Sequence, residues 1–128
     1  MIALAVLLLL LQAAVPAPEP AWQSLGVHQG IETAYDPASV QAQGGRVRVR
    51  MRGAVPTAGA DGIKTGTGLI EIDCAGNSAI ALEVKAYDAG GRLMLNAIVP
   101  VPERQAEPIR PDSPTAAVRA RVCMAPAQ

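Results

Sequence analysis

Arg46-Val47-Arg48-Val49-Arg50-Met51-Arg52 alternates a guanidinium with an apolar side chain without a fault. A period of two is the mark of a strand with one buried face, so Val47, Val49 and Met51 are expected to point into a core and the four arginines out of it. A helix would scatter both sets around its circumference. The same period returns downstream. Leu69 to Cys74 places Ile70, Ile72 and Cys74 on one side and Glu71 and Asp73 on the other. Ile80, Leu82, Val84 and Ala86 then alternate with Ala81, Glu83, Lys85 and Tyr87, and Arg92 to Val99 follows. Gly76-Asn77-Ser78 and Asp88-Ala89-Gly90-Gly91 supply turns between these runs, which predicts an antiparallel meander.

Working outward, Ala54 to Gly68 is rich in Gly, Ala and Thr and reads as the loop joining the arginine strand to the meander. Upstream, Ala21 to Val27 and Ile31 to Tyr35 flank the break His28-Gln29-Gly30 and read as a hairpin. From Pro100 to Pro114, five prolines interrupt any ladder, so an extended, irregular piece is expected there. It delivers the chain to a helix over Thr115 to Met124, with Ser113 as its cap and Pro114 at the first helical position, where the missing N–H costs nothing. Val118 and Val122 share one side of that helix with Ala117, Ala116, Ala120 and Cys123 lie beside them, and Arg119 and Arg121 are expected to point elsewhere. The fold expected is an α+β domain, an antiparallel β-sheet of about five to six strands with a C-terminal α-helix packed on one face.

The first residues carry a different message. Met1 to Leu11 is uninterrupted apolar sequence, followed by Gln12 and the small-residue and proline stretch Ala13 to Pro20. That order is the grammar of a secretory signal peptide, expected over residues 1–17 with cleavage after Ala13, Ala14 or Ala17, and leaves one domain over 18–128. A membrane-spanning helix needs about 20 apolar residues, so the mature form is expected to carry no transmembrane segment. No cysteine stands near the cleavage region to accept a lipid. The expected location is the periplasm or the cell surface.

In an oxidising compartment Cys74 and Cys123, 49 positions apart, allow one intramolecular pairing, and a structural disulfide is expected. The alternative, a redox pair, normally uses the close C-x-x-C spacing that lets one thiol resolve the other. If Cys74 faces inward with Ile70 and Ile72, a bridge to Cys123 would tie the terminal helix onto the apolar face of the sheet.

Composition narrows function by exclusion. Eleven Lys/Arg balance eleven Asp/Glu, so there is no global basic field for nucleic acid, and with aromatics at 2% stacking platforms are missing too. One histidine and two cysteines do not make a conventional multi-histidine or four-cysteine metal site, and no metal or cofactor is expected. His28 reads as a turn residue. Gly62-Ile63-Lys64-Thr65-Gly66-Thr67-Gly68 has the look of a phosphate loop, but a strand, not a helix, follows it. Glu71 and Asp73 share a strand face, which suits acid–base work or cation binding and suits solvated strand residues equally. Arg46, Arg48, Arg50 and Arg52 are the most distinctive group. At period two they stand about 7 Å apart and can fork onto the sulfate, carboxylate or phosphate groups of a polyanion. The other reading is a solvated sheet face, cross-paired with Glu71, Asp73 or Glu83.

The order of several short pieces is familiar. Trp22, Tyr35-Asp36-Pro37-Ala38-Ser39-Val40, Gly45 before the Arg46 to Met51 strand, Ile72-Asp73-Cys74, Tyr87-Asp88 with Gly90-Gly91, and Ile109 to Pro114 leading to Val122-Cys123 follow one another as in a known family. From Trp22 to Cys123 the chain resembles the bacterial surface-adhesin protein E family. The resemblance implies an antiparallel sheet with a C-terminal helix, a Cys74–Cys123 bridge and no enzymatic role. It also implies adhesion to a host extracellular-matrix protein, with a homodimer as an expected assembly. The function expected is therefore a small exported, noncatalytic envelope domain that binds a matrix protein or another acidic partner. A periplasmic structural or stress-related role is the alternative.

Overall fold

In the computed structural model, which describes residues 20–123, the arginine stretch opens strand β4 (Arg46–Ala54). The expected signal peptide and the last expected helical residue, Met124, lie outside the described residues. Strand β5 (Thr65–Asp73) runs antiparallel beside β4 from Arg46↔Asp73 to Ala54↔Thr65, and β6 (Ser78–Tyr87) ladders onto β5. Strand β7 (Leu93–Ile98) closes that side. On the other side lie β1 (Gln23–His28) and β2 (Ile31–Tyr35), giving the sheet order β1-β2-β4-β5-β6-β7. Gln29 and Gly30 between β1 and β2 both have positive φ, 54° and 76°, the twist a two-residue hairpin requires. Two short strands complete an eight-stranded sheet: β3 (Gln41–Gln43) on β4 and β8 (Glu107–Pro108) on β6. With one C-terminal helix, α1 (Pro114–Val122), the architecture is the expected α+β sheet.

The segment Tyr35-Asp36-Pro37-Ala38-Ser39-Val40 has a structural task. β2 and β3 both pair with the same edge of β4, β2 opposite Met51 to Ala54 and β3 opposite Arg46 to Arg48. Between them the chain leaves the ladder in a 3-10 turn, Pro37–Ser39, opposite Arg50. Neither polar group of Arg50 is orphaned. Its carbonyl accepts from the Asp36 amide at 3.0 Å, and its own amide donates to Ser39 Oγ at 2.8 Å. Ser39 Oγ in turn donates to the Asp36 carbonyl at 2.6 Å, while Asp36 Oδ1 accepts from the Ala38 amide at 3.0 Å and caps the turn. Tyr35 and Val40, at the two ends, both reach the core. The opposite edge of β6 is split in the same manner. β7 pairs with Glu83 to Tyr87, β8 with Ser78 and Ala79, and the Val99 amide donates to the Leu82 carbonyl at 2.9 Å where the proline-rich segment begins.

Tyr35, Val49, Ile70, Ile72, Ile109 and Val118 form the core, with Val49, Ile72 and Val118 wholly enclosed. Each such side chain contributes about 1.5–3 kcal/mol relative to exposure. α1 lies on this face against β1, β2 and β4 and presents Val118, with Ala116 and Val122 beside it. Ser113 Oγ accepts from the Ala116 amide at 3.1 Å and Pro114 occupies the first turn, as the sequence predicts. Cys74 and Cys123 are bonded, their Cα atoms 5.7 Å apart, and the bridge pins the end of α1 to the end of β5. By loop entropy a closure of 49 positions is worth about 4 kcal/mol.

Four details differ from the sequence reading. Ile80, Leu82, Val84 and Ala86 do not share a face, because β6 bulges. Ile70 pairs with Ala81 and Leu69 with Glu83, so Leu82 has no partner and the alternation reverses across it. Ile80 therefore stands opposite Glu71, on the arginine side, whereas Val84 and Ala86 stand opposite Gly68 and Gly66 on the helix side. The loop after β4 is shorter than Ala54 to Gly68, since Thr65, Gly66, Thr67 and Gly68 all pair within β5. The proline-rich segment is less irregular than expected, containing a 3-10 turn, Val101–Glu103, as well as β8. Arg119 does not point away from the sheet. Its Nη2 donates to the Cys74 carbonyl at 2.7 Å, a second tie beside the disulfide.

Ser39→Ala is expected to cost about 1–3 kcal/mol, because it strips the Arg50 amide of its acceptor inside the sheet. Urea denaturation should show a lower midpoint at unchanged slope, with faster hydrogen exchange at the Arg50 amide. An unshifted midpoint would contradict this account of the segment.

Candidate functional site

β4 carries Arg46, Arg48, Arg50 and Arg52 on the face opposite α1, in register with Asp73, Glu71, Leu69 and Thr67 of β5. The spacing that makes the row also decides its partners. Arg48 Nε donates to Glu71 Oε2 at 2.8 Å and Arg46 Nη1 to Glu71 Oε1 at 3.1 Å, so one carboxylate spans two guanidiniums. Arg50 Nη2 reaches Glu83 Oε2 at 3.3 Å across β5. Arg46 and Arg48 remain open to solvent, with side chains 57% and 49% exposed, while Glu71 is 16% exposed. Pairs as exposed as these contribute about 0–1 kcal/mol each and orient side chains more than they stabilise the fold. Asp73, one of the expected partners, is used elsewhere. Its Oδ1 accepts from the Gly76 amide at 3.0 Å and shapes the β5–β6 turn, where a Cβ on Gly76 would come within 2.6 Å of Asp73 Oδ2. Among the described residues no carboxylate lies within 4.0 Å of Arg52.

The hydrogen bond from Arg48 holds the Glu71 carboxyl below its ordinary value of 4.5; partial burial opposes this, and Arg46 adds to the lowering. Glu71 is thus an ion-pair partner that stays charged, which is unsuited to donating a proton near neutrality.

The remaining sequence candidates separate. His28 lies at the end of β1, and its Nε2 sits 2.8 Å from the Leu25 carbonyl in its own strand. Cys74 and Cys123 are consumed by each other. Lys64 and Gly62 lie before β5, so the glycine-rich stretch enters a strand. Among the described residues no group of three or more His, Cys, Asp or Glu is placed to hold a metal ion, and no helix is long and apolar enough to cross a membrane.

Two surfaces escape the sequence reading. On the helix side of the sheet, beside the first turn of α1, a groove of about 500 Å³ is lined by Ile31, Met51, Gly53, Ile63, Val84 and Pro114 among others. Its floor is low because Gly53 pairs with Gly66, and Gly68 separates Met51 from Val84. The signal in the sequence is the pair Gly66 and Gly68, at alternate positions of a stretch that pairs within β5. The second surface is the outer edge of β7, where Leu93, Met94 and Leu95 are about half exposed and Ile98 is 69% exposed. This strand ends the sheet order and carries no charge to discourage pairing; it bulges at Met94, which is left without a partner between Leu93↔Tyr87 and Leu95↔Ala86.

The family model described as surface-adhesin protein E matches residues 22–124. That span takes in the arginine strand, both cysteines and the whole described sheet from β1 to α1. No curated protein matches the chain significantly.

The Glu71 ion pairs make a pH-dependent contribution of known sign. With its folded-state value lowered, Glu71 stabilises fully above about pH 4.5 and loses that contribution as pH falls through the lowered value. Glu71→Gln should therefore flatten the acid limb of stability measured by urea denaturation across pH. A Glu71 carboxyl titrating at or above 4.5 by NMR would contradict the pairing.

Proposed function

The chain belongs to the surface-adhesin protein E family, and from that premise we propose that it is a noncatalytic adhesion domain of the bacterial envelope. Its contact surface is the face bearing Arg46, Arg48, Arg50 and Arg52, and its partner is an acidic region of a host extracellular-matrix protein or another polyanion. The observation that carries this reading is the charge balance of that face. Four guanidiniums stand in one row, and among the described residues three of them are ion-paired and share Glu71 and Glu83. The row holds more guanidiniums than ion-paired carboxylates, Asp73 on the same face being turned to the Gly76 amide, in a chain whose formal total is zero. Such a surface steers and orients an acidic partner and is weakened by salt. The noncatalytic part of the reading draws support from the chemistry already engaged, since Glu71 is held by arginines and the cysteines by each other.

A homodimer is part of this reading, supported by the uncharged, exposed edge of β7. Two copies of Leu93–Ile98 meeting antiparallel would extend the sheet across a two-fold axis and cover Leu93, Leu95 and Ile98. Leu95→Lys is expected to shift the species seen by sedimentation from dimer to monomer. A wild-type chain that stays monomeric at high concentration would remove the dimer.

Adhesion requires exposure. Protease shaving of intact cells, against a periplasmic control, should remove the protein while the control survives. Protection with the control would leave a periplasmic structural role as the better account. Replacing all four arginines by Gln should abolish salt-sensitive binding to matrix proteins, and unchanged binding would eliminate this face.

A further inference from the structure

We propose that one end of the arginine face, centred on Arg52 and Lys85, is a subsite for the sulfate or carboxylate groups of an acidic polysaccharide. The proposal rests on the reading of that face as the contact surface and divides the row in two. Arg46, Arg48 and Arg50 have counter-charges at 3.1, 2.8 and 3.3 Å. Arg52 has none within 4.0 Å among the described residues, and neither has Lys85. Both are part-buried cations, a condition that favours an external anion.

The register brings the two together. Arg52 pairs with Thr67, Thr67 with Lys85, and Lys85 with Asn96, one row across β4, β5, β6 and β7. Laterally paired residues share a face, and this row continues the alternation that carries Arg50 and Arg48. Two strand spacings put the Arg52 and Lys85 backbones about 10 Å apart, with the short Thr67 between them. Both long side chains can lean over Thr67, so an anion seated there meets a guanidinium from one side and an ammonium from the other.

What surrounds the two cations selects a polysaccharide over an acidic peptide. Thr67 and Asn96 lie in the row, and Thr65 pairs with Tyr87 in the next. Hydroxyls and a carboxamide both donate and accept, as sugar hydroxyls do, and Tyr87 supplies a ring for a pyranose to rest on. Glu32, exposed and in register with Ala54, bounds the site on the β2 side. On the other side stands the row of Arg50, Leu69 and Glu83, in which the charge is already matched.

The test is titration of the purified exported protein with a size-defined heparin oligosaccharide, its desulfated counterpart and poly-glutamate. Arg52→Gln with Lys85→Gln should weaken heparin binding at least about tenfold, while Arg46→Gln with Arg48→Gln should change it by less than about threefold. Thr67→Val, which keeps both cations and suits a strand, should weaken heparin but not poly-glutamate. Circular dichroism and the urea midpoint establish that each variant is folded. Equal losses from the two arginine-containing pairs would overturn a separate subsite. Poly-glutamate binding as tightly as heparin through Arg52 and Lys85 would overturn the polysaccharide and assign the subsite to acidic peptides. If heparin does not bind while matrix-protein binding still requires the four arginines, the subsite fails and the face survives. If neither binds, both readings fail.

Discussion

The register of β4 against β5 is the constraint on which the molecule depends. With Val49 opposite Ile70 and Val47 opposite Ile72, every apolar residue of β4 before Gly53 faces the helix, and every arginine faces away. The same register sets Arg48 opposite Glu71, close enough for one carboxylate to hold two arginines. A slip of one residue would turn Val49 to solvent and the arginines into the core, so core and charged face are specified together. The helix adds a lid rather than a second frame. Val118 seals the core over β4, and the Cys74–Cys123 bridge with the Arg119 bond to the Cys74 carbonyl anchors its end.

A long central ladder creates a problem at its flanks, where neighbouring strands are too short to satisfy it. β4 and β6 each meet two partners in succession along one edge, and the gaps between partners need donors and acceptors of their own. At β4 the gap is filled by Asp36 and Ser39, at β6 by the Val99 amide. Leaving such a backbone group unpaired would cost about 1–3 kcal/mol, a substantial part of a small domain's stability of about 5–15 kcal/mol. Tyr35 to Val40 is thus a hydrogen-bonding patch, and the short pieces by which the family resemblance is recognised include parts of the sheet's own repair.

On the exposed face, opposite charges are interleaved unevenly. At one end three arginines share two glutamates; the other end holds cations among hydroxyl, amide and aromatic groups. Alternation puts the four arginines on one face and offers Glu71, Asp73 and Glu83 as their partners, but it reports only which side of a strand a residue takes. Pairing across strands decides which charges remain available. The bulge at Leu82 shows the same limit, for an inserted residue that reverses the face of a strand leaves no mark in an alternating pattern.

By itself the sequence determined the antiparallel meander, the faces of β4 and β5, the capped terminal helix and the bonding of the two cysteines. These follow from periodicity, turn chemistry and a cysteine pair with one partner each, all local or arithmetic. Tertiary structure decided what depends on distance between elements. It set Glu71 between two arginines, turned Arg119 inward to the Cys74 carbonyl, stacked glycines into a groove floor and left β7 uncovered. The physical reason is that side-chain period is a property of one strand, whereas register, bulges and ion pairs are properties of two or more brought together by burial.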